Sequence, residues 1–463
     1  MPLYPPTPAG RAAAVIDDIL RALYGPAPDI VVYAPPGSGK TTLVGDMAVQ
    51  EMALLGGRAL IATQTKEQTW DLARRLTSAP ATPDAPPLPV TLYLSKDVTA
   101  PDDIRVTPAI RIARDGRDIA PGPIIVVANA AKLSHLIATD TMAFTLLIVD
   151  EAFQLADFRF AQIAGLGGRI VLVGDPGQID PFVRSSVDRW RDERTGPHIP
   201  CVRALLARWP DTPTFTLPVS RRLPYDTAEI VRTYFYPSQP FTSLARPGAR
   251  RLTPGPRVDS LTTGDDRVRR GLDAVIDRVA AGPSLVGFTL PEQVTGEVDA
   301  GLADGLALLI ERLLARGGTV DDGSGRTARP LEPGMIGVVC ANTAQVTAVA
   351  SRLDRRLRAV LVQTANSYQG LERSITLVHH PLSGRVELDQ FHLDPGRLCV
   401  MLSRHRVACV IVGRRGIAHQ LDRYAPANER ALGEDDDVEY RGLRAHRGLL
   451  RALAQSDALV AVE

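Results

Sequence analysis

Apolar and polar positions alternate along the chain in a pattern that predicts buried strands separated by helices. Short β-branched runs, each bounded by glycine, proline or polar residues, lie at 29–34, 58–63, 123–129, 145–151 and 169–175. Stretches with helical spacing, such as TTLVGDMAVQEMALL and EQTWDLARRL, lie between several of these runs. Buried strands that alternate with helices are typical of a parallel α/β sheet.

The same pattern starts again in the second half of the chain. Apolar runs lie at 335–340, 360–365, 374–380 and 409–414, with a helix-like stretch between the first two. We therefore predict two α/β domains, spanning 1–215 and 216–463. The first is expected to carry a small insertion at about 79–120, which begins with a proline-rich loop, and the second to end in a helix near 441–455.

Composition restricts the class of protein. The chain has 463 residues, of which 45% are hydrophobic and 23% charged, so it is expected to be globular rather than disordered or fibrous. It shows no apolar run of the ~18–20 residues that span a bilayer and no secretory signal pattern. We expect a cytoplasmic location, no membrane partner, and a monomer.

Cysteine and charge exclude further classes of site. None of the four cysteines forms a CxxC pair, so neither a zinc site nor a disulfide framework is indicated. The net charge of +1 provides no global basic field. Any binding to nucleic acid must therefore come from a local groove.

The sharpest local signal is APPGSGKTT at 34–42, which follows a predicted strand and precedes a predicted helix. That context is the one a phosphate-binding P-loop needs, because glycines let backbone N–H groups turn toward phosphate oxygens at a helix N-terminus. Lys40 would reach the β- and γ-phosphates and the Thr41 hydroxyl would coordinate Mg²⁺. The predicted nucleotide contacts in this loop are Gly37, Ser38, Gly39, Lys40, Thr41 and Thr42.

A second carboxylate-bearing strand, TLLIVDEA, lies at 145–152. Its Asp150 would hold Mg²⁺, and Glu151 would orient and deprotonate the attacking water. The P-loop and this strand together predict only a nucleoside triphosphatase, since kinases, GTPases and transporter ATPases could share both.

Further motifs follow in a fixed order: IATQTKEQTWDLARRL (61–76), VLVGDPGQIDP (171–181), LPVSRRLP (217–224), VQTANSYQGLE (362–372) and GRLCVMLSRHR (396–406). Together with the P-loop and DEA, this series resembles the motifs of superfamily 1 helicases, most closely the group that translocates 5′ to 3′. The resemblance covers about residues 30–414. It implies two tandem RecA-like P-loop domains with parallel sheets and a nucleotide cleft between them.

The resemblance also implies roles for individual residues. Gln178 would sense the γ-phosphate, Arg222 would reach the phosphates from the second domain, and Arg404 would act as the arginine finger. Arg221 is the alternative to Arg222, and Arg406 is the alternative to Arg404. A loop that faces the nucleotide would contribute Gln369, Gly370 and Glu372.

The strand-binding residues implied by the resemblance are Thr65, Asn129, Lys132, Thr364, Ser367 and Tyr368. Hydroxyls and amides at strand ends can bind phosphate oxygens without reading bases. Tyr368 could stack a base. Trp70 could also stack, although its helical spacing with leucines fits core packing at least as well.

The sequence therefore predicts an ATP- and Mg²⁺-dependent helicase that translocates 5′ to 3′ on single-stranded nucleic acid, with DNA favoured over RNA, and unwinds duplexes. Two alternatives stay open. One is a translocase that strips proteins from a strand without unwinding, and the other is a slow, nucleotide-gated scaffold ATPase.

Overall fold

The computed structural model describes residues 7–27, 29–78, 88–136, 143–183, 186–190, 193, 195–258, 266–323, 327–425 and 437–462. Its contacts divide the chain into two compact units. The first unit comprises Met1–Pro176 and Asp180–Val219, and the second comprises Gly177–Ile179 and Ser220–Glu463.

The first unit is built on an eight-stranded sheet in which every strand pair is parallel. Its strands are β1 (Asp29–Tyr33), β2 (Arg58–Thr63), β3 (Val90–Tyr93), β4 (Ile110–Ala113), β5 (Ile124–Asn129), β6 (Phe144–Asp150), β7 (Gly167–Gly174) and β8 (Thr214–Thr216). The order across the sheet is β4-β3-β5-β2-β6-β7-β1-β8. The carboxyl ends of β1, β6 and β7 therefore meet at one edge, which is where ligands bind in sheets of this kind.

Helices cover both faces of this sheet. They are α1 (Pro8–Leu23), α2 (Lys40–Ala53), α3 (Lys66–Ser78), α4 (Asp102–Arg105), α5 (Ala130–Leu133), α6 (Asp157–Ala161) and α7 (Cys201–Arg208). Along β1, Ile30 and Val32 face one hydrophobic core, and Val31 faces the other. Trp70 lies in the first of these cores with 7% of its surface exposed, which favours core packing over base stacking for this ring.

The segment predicted as an insertion continues the main sheet. Strand β3 pairs in parallel with β5, and β4 pairs in parallel with β3. Each has only four residues, so neither produced a recognisable apolar run in the sequence. The proline-rich residues 79–87 lie outside the described residues.

The second unit contains a six-stranded parallel sheet with the order β16-β15-β17-β18-β12-β19. The strands from β9 onward are β9 (Val219–Ser220), β10 (Thr242–Ser243), β11 (Arg251–Pro254), β12 (Leu285–Leu290), β13 (Gly318–Asp321), β14 (Arg329–Pro330), β15 (Ile336–Cys340), β16 (Leu361–Thr364), β17 (Arg373–His379), β18 (His405–Arg414) and β19 (Leu459–Ala461). A small antiparallel sheet joins β11, β13 and β14, and β9 pairs with β10.

The remaining helices are α8 (Tyr225–Phe235), α9 (Asp266–Ala280), α10 (Ala300–Arg316), α11 (Thr343–Ala350), α12 (Gln390–Leu393), α13 (Pro395–Leu402), α14 (Ile417–Arg423) and α15 (Val438–Gln455). Helix α15 contains the predicted C-terminal helix. Buried side chains on the two faces of β15 enter separate cores, Val338 one and Val339 the other. The predicted fold class is confirmed: the chain is α/β, with two large parallel sheets of the tandem RecA-like type.

Within the described ranges, no helix has the length and hydropathy that crossing a bilayer requires.

Candidate nucleotide and nucleic-acid site

The loop between β1 and α2 has the backbone conformation of a phosphate cradle. Gly37 and Gly39 have φ angles of 71° and 93°, which side-chain-bearing L residues seldom adopt. Gly39 caps α2, so the first N–H groups of that helix lack intrahelical partners. Ala34 stands where a first glycine is usual. It fits because its φ is not positive, and its N–H donates to the Gly174 carbonyl at 2.7 Å.

Lys40 meets both predicted acidic residues at the carboxyl edge of the first sheet. Its Nζ lies 2.8 Å from Asp150 Oδ1 and also pairs with Glu151 Oε1. The lysine side chain is 14% exposed and each carboxylate side chain is 7% exposed. Three groups predicted for phosphate binding, metal binding and proton abstraction are therefore together in the folded chain.

Burial and charge oppose each other in this cluster. Burial alone would lower the pKa of Lys40, but the charges of Asp150 and Glu151 hold that pKa above its ordinary value. Burial raises the pKa of Glu151, which Lys40 opposes and Asp150 reinforces. A carboxylate with a raised pKa is a stronger base than an ordinary one, which suits the role predicted for Glu151.

The backbone at Glu151 is strained. Its φ of 55° lies in the left-handed region, which only one other non-glycine residue of the described chain adopts, Asp457. Such conformations cost about 1–3 kcal/mol and persist where surrounding contacts impose them. One such contact is the hydrogen bond from Glu151 N–H to Asp150 Oδ1, at 2.9 Å.

The loop after β2 holds a functional candidate that sequence reasoning missed. Gln64 Nε2 donates to the backbone carbonyl of Asp150 at 3.1 Å. The next residue, Thr65, is exposed, and it caps α3 because its Oγ1 accepts from Gln68 N–H at 3.2 Å and its own N–H donates to Gln68 Oε1 at 3.1 Å. In the sequence, the signal for Gln64 is its position directly after β2, inside the motif at 61–76.

Two predicted strand-binding residues in the first unit already have partners. Asn129 caps α5 by accepting from Lys132 N–H at 2.8 Å. Lys132 Nζ donates to the Arg114 carbonyl at 3.1 Å and lies 4.1 Å from the centre of the Tyr93 ring. Their strand-binding role stays a prediction, and it would require Lys132 to exchange these contacts for a phosphate.

In the second unit, Glu372 is held between two arginines. Arg222 Nε lies 2.6 Å from its Oε2, and Arg406 Nε lies 2.7 Å from its Oε1. Burial would raise the pKa of Glu372, but the two positive charges bring it below its ordinary value. Arg221, the alternative to Arg222 for phosphate contact, is exposed.

Arg404 and Gln178 lie at opposite ends of α13. Arg404 follows the helix, is 1% exposed, and donates from Nε to the Val400 carbonyl at 3.1 Å. At the other end, a Cβ on Gly396 would lie 2.6 Å from the carbonyl oxygen of Gln178, so only glycine permits this approach. Both residues group with the second unit.

The loop between β16 and β17 carries the remaining predicted residues. Thr364 Oγ1 accepts from Ser367 N–H at 3.3 Å, and Ser367 is exposed. Gly370 has a φ of 81°. Gln369 is half-buried, and its Nε2 has no hydrogen-bond partner among the described residues.

The stacking role predicted for Tyr368 is wrong in this structure. Its side chain is fully buried in a core of the second unit, and a base can stack only on an exposed ring face. The ring fits because Gly337 has no side chain: a Cβ there would lie 1.8 Å from the tyrosine hydroxyl. Burial also raises the pKa of Tyr368.

Part of the chain is similar to known sequences. The AAA domain family matches residues 307–416. The chain is 28% identical over 164 residues to RNA helicase Mov10l1 of Mus musculus and 26% identical over 164 residues to RNA helicase Mov10l1 of Homo sapiens. Each alignment covers 34% of this chain and 13% of the relative, so the chain matches only a small part of either protein.

Solved structures of viral helicases overlap weakly. The arterivirus nonstructural protein 10 helicase aligns over 85% of this chain and 62% of its own, at 15% identity and a TM-score of 0.43. The same protein with DNA aligns over 86% of this chain and 64% of its own, at 14% identity and a TM-score of 0.42.

The fold and the loop geometry define a P-loop α/β protein of the tandem RecA-like type. The AAA-domain match and the similarity to Mov10l1 confirm the resemblance to superfamily 1 helicases that the motif series predicts. The 5′-to-3′ subgroup stays a prediction.

Proposed function

We propose that this chain is an ATP-dependent helicase that translocates on single-stranded nucleic acid. The observation that carries the nucleotidase part is the meeting of Lys40 with Asp150 and Glu151 beside a glycine-rich cradle. The helicase part rests on the motif series, the AAA-domain match and the similarity to an RNA helicase.

The P-loop residues would bind the triphosphate. Backbone N–H groups at the start of α2 would donate to phosphate oxygens. The Ser38 hydroxyl is buried and has no hydrogen-bond partner among the described residues, so it is available to donate as well. Lys40 would turn from its carboxylate partners to the β- and γ-phosphates, a swap of one set of anions for another.

The residues at this edge fit Mg²⁺. A hydroxyl at Thr41 and a carboxylate at Asp150 are the oxygen donors that this cation prefers, and it normally completes its shell with water and substrate phosphates. In the described chain no three His, Cys, Asp or Glu side chains converge as a metal cluster, so the phosphates would have to share in holding it. Bound there, Mg²⁺ would supply charge that neutralises the phosphates.

Glu151 would then orient water and accept its proton. Gln178 would report the presence of the γ-phosphate. Arg404 would stabilise charge on the transferred group as the arginine finger, with Arg222, or Arg221 in its place, as a second phosphate contact. Since Arg222 is already paired with Glu372, phosphate contact by Arg222 would require it to leave that carboxylate.

For the strand, we retain Thr65, Asn129, Lys132, Thr364 and Ser367 as backbone contacts, which would make binding independent of sequence. The buried Tyr368 is not among these contacts. The sequence favours DNA and 5′-to-3′ movement, while the similarity to an RNA helicase makes RNA at least an equal candidate.

The test is the ATPase rate with no nucleic acid, with single-stranded DNA and with single-stranded RNA, followed by strand displacement on duplexes with a 5′ or a 3′ tail. Strong stimulation and displacement from one tail polarity support the proposal and identify the substrate. Stimulation without displacement indicates a protein-stripping translocase. A slow rate that neither nucleic acid stimulates contradicts the proposal and favours a scaffold ATPase.

A further inference from the structure

The peptide group that joins Asp150 to Glu151 is held at both of its edges. On one edge, Glu151 N–H donates to Asp150 Oδ1 at 2.9 Å. On the other edge, the Asp150 carbonyl accepts from Gln64 Nε2 at 3.1 Å. Because a peptide group is planar, fixing both edges fixes its rotation, and this rotation contributes directly to the φ of Glu151.

That rotation matters because Glu151 is strained. A glutamate with a φ of 55° will relax unless its surroundings hold it there. The position of its carboxylate therefore depends on contacts to its backbone, and one of these is the Gln64 amide, which comes from the loop after the neighbouring strand β2.

Gln64 belongs to a stiff segment that also contains an exposed strand-binding candidate. Its own N–H donates to Gln68 Oε1 at 2.9 Å, and the same oxygen accepts from Thr65 N–H at 3.1 Å. Thr69 Oγ1 donates to the Thr65 carbonyl at 3.0 Å and lies 2.7 Å from Thr63 Oγ1. Because the N–H groups of Gln64 and Thr65 donate to the same oxygen, a displacement of Thr65 also moves the backbone of Gln64.

We propose that Gln64 is a positioning residue that links the strand-binding loop after β2 to the backbone of the catalytic Glu151. The proposal rests on the function proposed above and adds a route by which strand binding regulates hydrolysis. A strand phosphate on Thr65 shifts the Gln64 amide, which turns the Asp150–Glu151 peptide and re-aims the carboxylate at water. Gln64 itself touches neither nucleotide nor strand in this scheme.

The test uses two variants that keep the length of the side chain and remove its N–H donor, Gln64→Glu and Gln64→Met. The matched control is Gln162→Glu, the same chemical change at an exposed glutamine that follows α6. For each full-length protein, kcat and KM for ATP are measured without nucleic acid and with saturating single-stranded DNA or RNA, and strand affinity is measured separately.

We expect both Gln64 variants to lower the stimulated kcat by about two- to tenfold, the effect of losing one hydrogen bond that acts on the transition state. KM for ATP, strand affinity and the unfolding midpoint should match those of wild type, and Gln162→Glu should match wild type throughout.

Four results overturn the proposal while leaving the helicase function intact. The first is wild-type stimulation in both Gln64 variants. The second is loss of strand affinity with normal kcat at saturation, which makes Gln64 a strand contact. The third is a raised KM for ATP, which makes it a nucleotide contact. The fourth is a defect in Gln64→Glu alone, which indicates added charge rather than a lost donor. If wild type itself is not stimulated by either nucleic acid, the proposed function fails, and this inference fails with it.

Discussion

Replacing Lys40 with methionine should destabilise the ligand-free first unit, in addition to removing a phosphate contact. In the structure this ammonium is the positive partner of two buried carboxylates, Asp150 and Glu151. The substitution keeps the side-chain length and leaves both carboxylates buried beside each other. We therefore expect a loss of stability that does not depend on nucleotide.

The geometry gives the size of the effect. At 2.8 Å and an effective dielectric constant of about 20, the Lys40–Asp150 attraction is about 6 kcal/mol. Removing one partner of a buried pair costs about 3–5 kcal/mol in practice, because the remaining groups relax or change protonation. We expect a loss of about 3 kcal/mol in the free energy of unfolding, the lower end of that range, because the three side chains keep some contact with solvent.

The loss should depend on pH with a definite sign. Without Lys40, nothing opposes the effects of burial and of Asp150, so the pKa of Glu151 rises further above its ordinary value of 4.5. Between those two values the folded protein holds a proton that the unfolded chain releases. The variant is therefore weakest above the raised pKa, and it recovers stability as the pH falls toward 4.5.

Tryptophan fluorescence isolates the relevant unit, since Trp70, Trp190 and Trp209 are the only tryptophans in the chain and all belong to the first unit. Urea unfolding is followed by this signal without nucleotide at pH values of about 8 and about 5, because the variant recovers stability as the pH falls toward 4.5. Lys66→Met is the control, because Lys66 is an exposed lysine at the start of α3.

A second substitution sharpens the result. Adding Glu151→Gln to Lys40→Met removes one buried charge and should restore part of the lost stability. If Lys40→Met unfolds at the same urea concentration as wild type at both pH values, the ammonium does not stabilise these carboxylates in solution, contrary to this prediction.

Three further outcomes are expected. Arg404→Ala should retain ATP binding and lose about 10³-fold or more of stimulated turnover. The control Arg423→Ala, at an exposed site, should keep wild-type turnover. Unchanged turnover in Arg404→Ala would show that Arg404 is not the arginine finger. Tyr368→Phe should leave the affinity for a single strand unchanged. Its free energy of unfolding should stay the same or rise by up to about 1 kcal/mol, because the buried tyrosine hydroxyl has no partner among the described residues. Weaker binding of the strand would support the stacking role. Burial lowers the pKa of His379 to about 4 and that of His446 to about 3. Since the unfolded chain protonates first, the second unit should lose about 1.4 kcal/mol per histidine per pH unit between 6.5 and the lowered pKa of each. Urea unfolding midpoints followed by circular dichroism test this, and a flat pH profile would count against it.

Several parts of the site could be read from the sequence because they depend on neighbours along the chain. The P-loop needs glycines at two backbone positions, and both Gly37 and Gly39 have the positive φ that this implies. Asp150 and Glu151 follow a continuous apolar strand, so their place at a sheet edge follows from the pattern. Strands β3 and β4 were not predicted, because a segment of four residues has too few positions to show an apolar period.

Contacts between distant segments decided the rest. The sequence predicts that Thr65 and Asn129 bind a nucleic-acid strand, and in the structure each also caps a helix. Arg222 is predicted to contact phosphate, and in the structure it is paired with the carboxylate of Glu372, 150 positions away. A residue type and its spacing show what a side chain is able to bind, but not which partner the fold brings to it.

The sequence by itself determined the α/β class, the positions of nine strands and the chemistry at the edge of the first sheet, because buried periodicity and glycine conformation are local properties. Only the tertiary structure decided that Tyr368 is enclosed and that Gln64 reaches the backbone of Asp150. The first depends on the absence of a side chain at Gly337 on β15, and the second joins residues 86 positions apart. Neither is encoded in any short stretch, since packing between strands is set by how the sheet assembles as a whole.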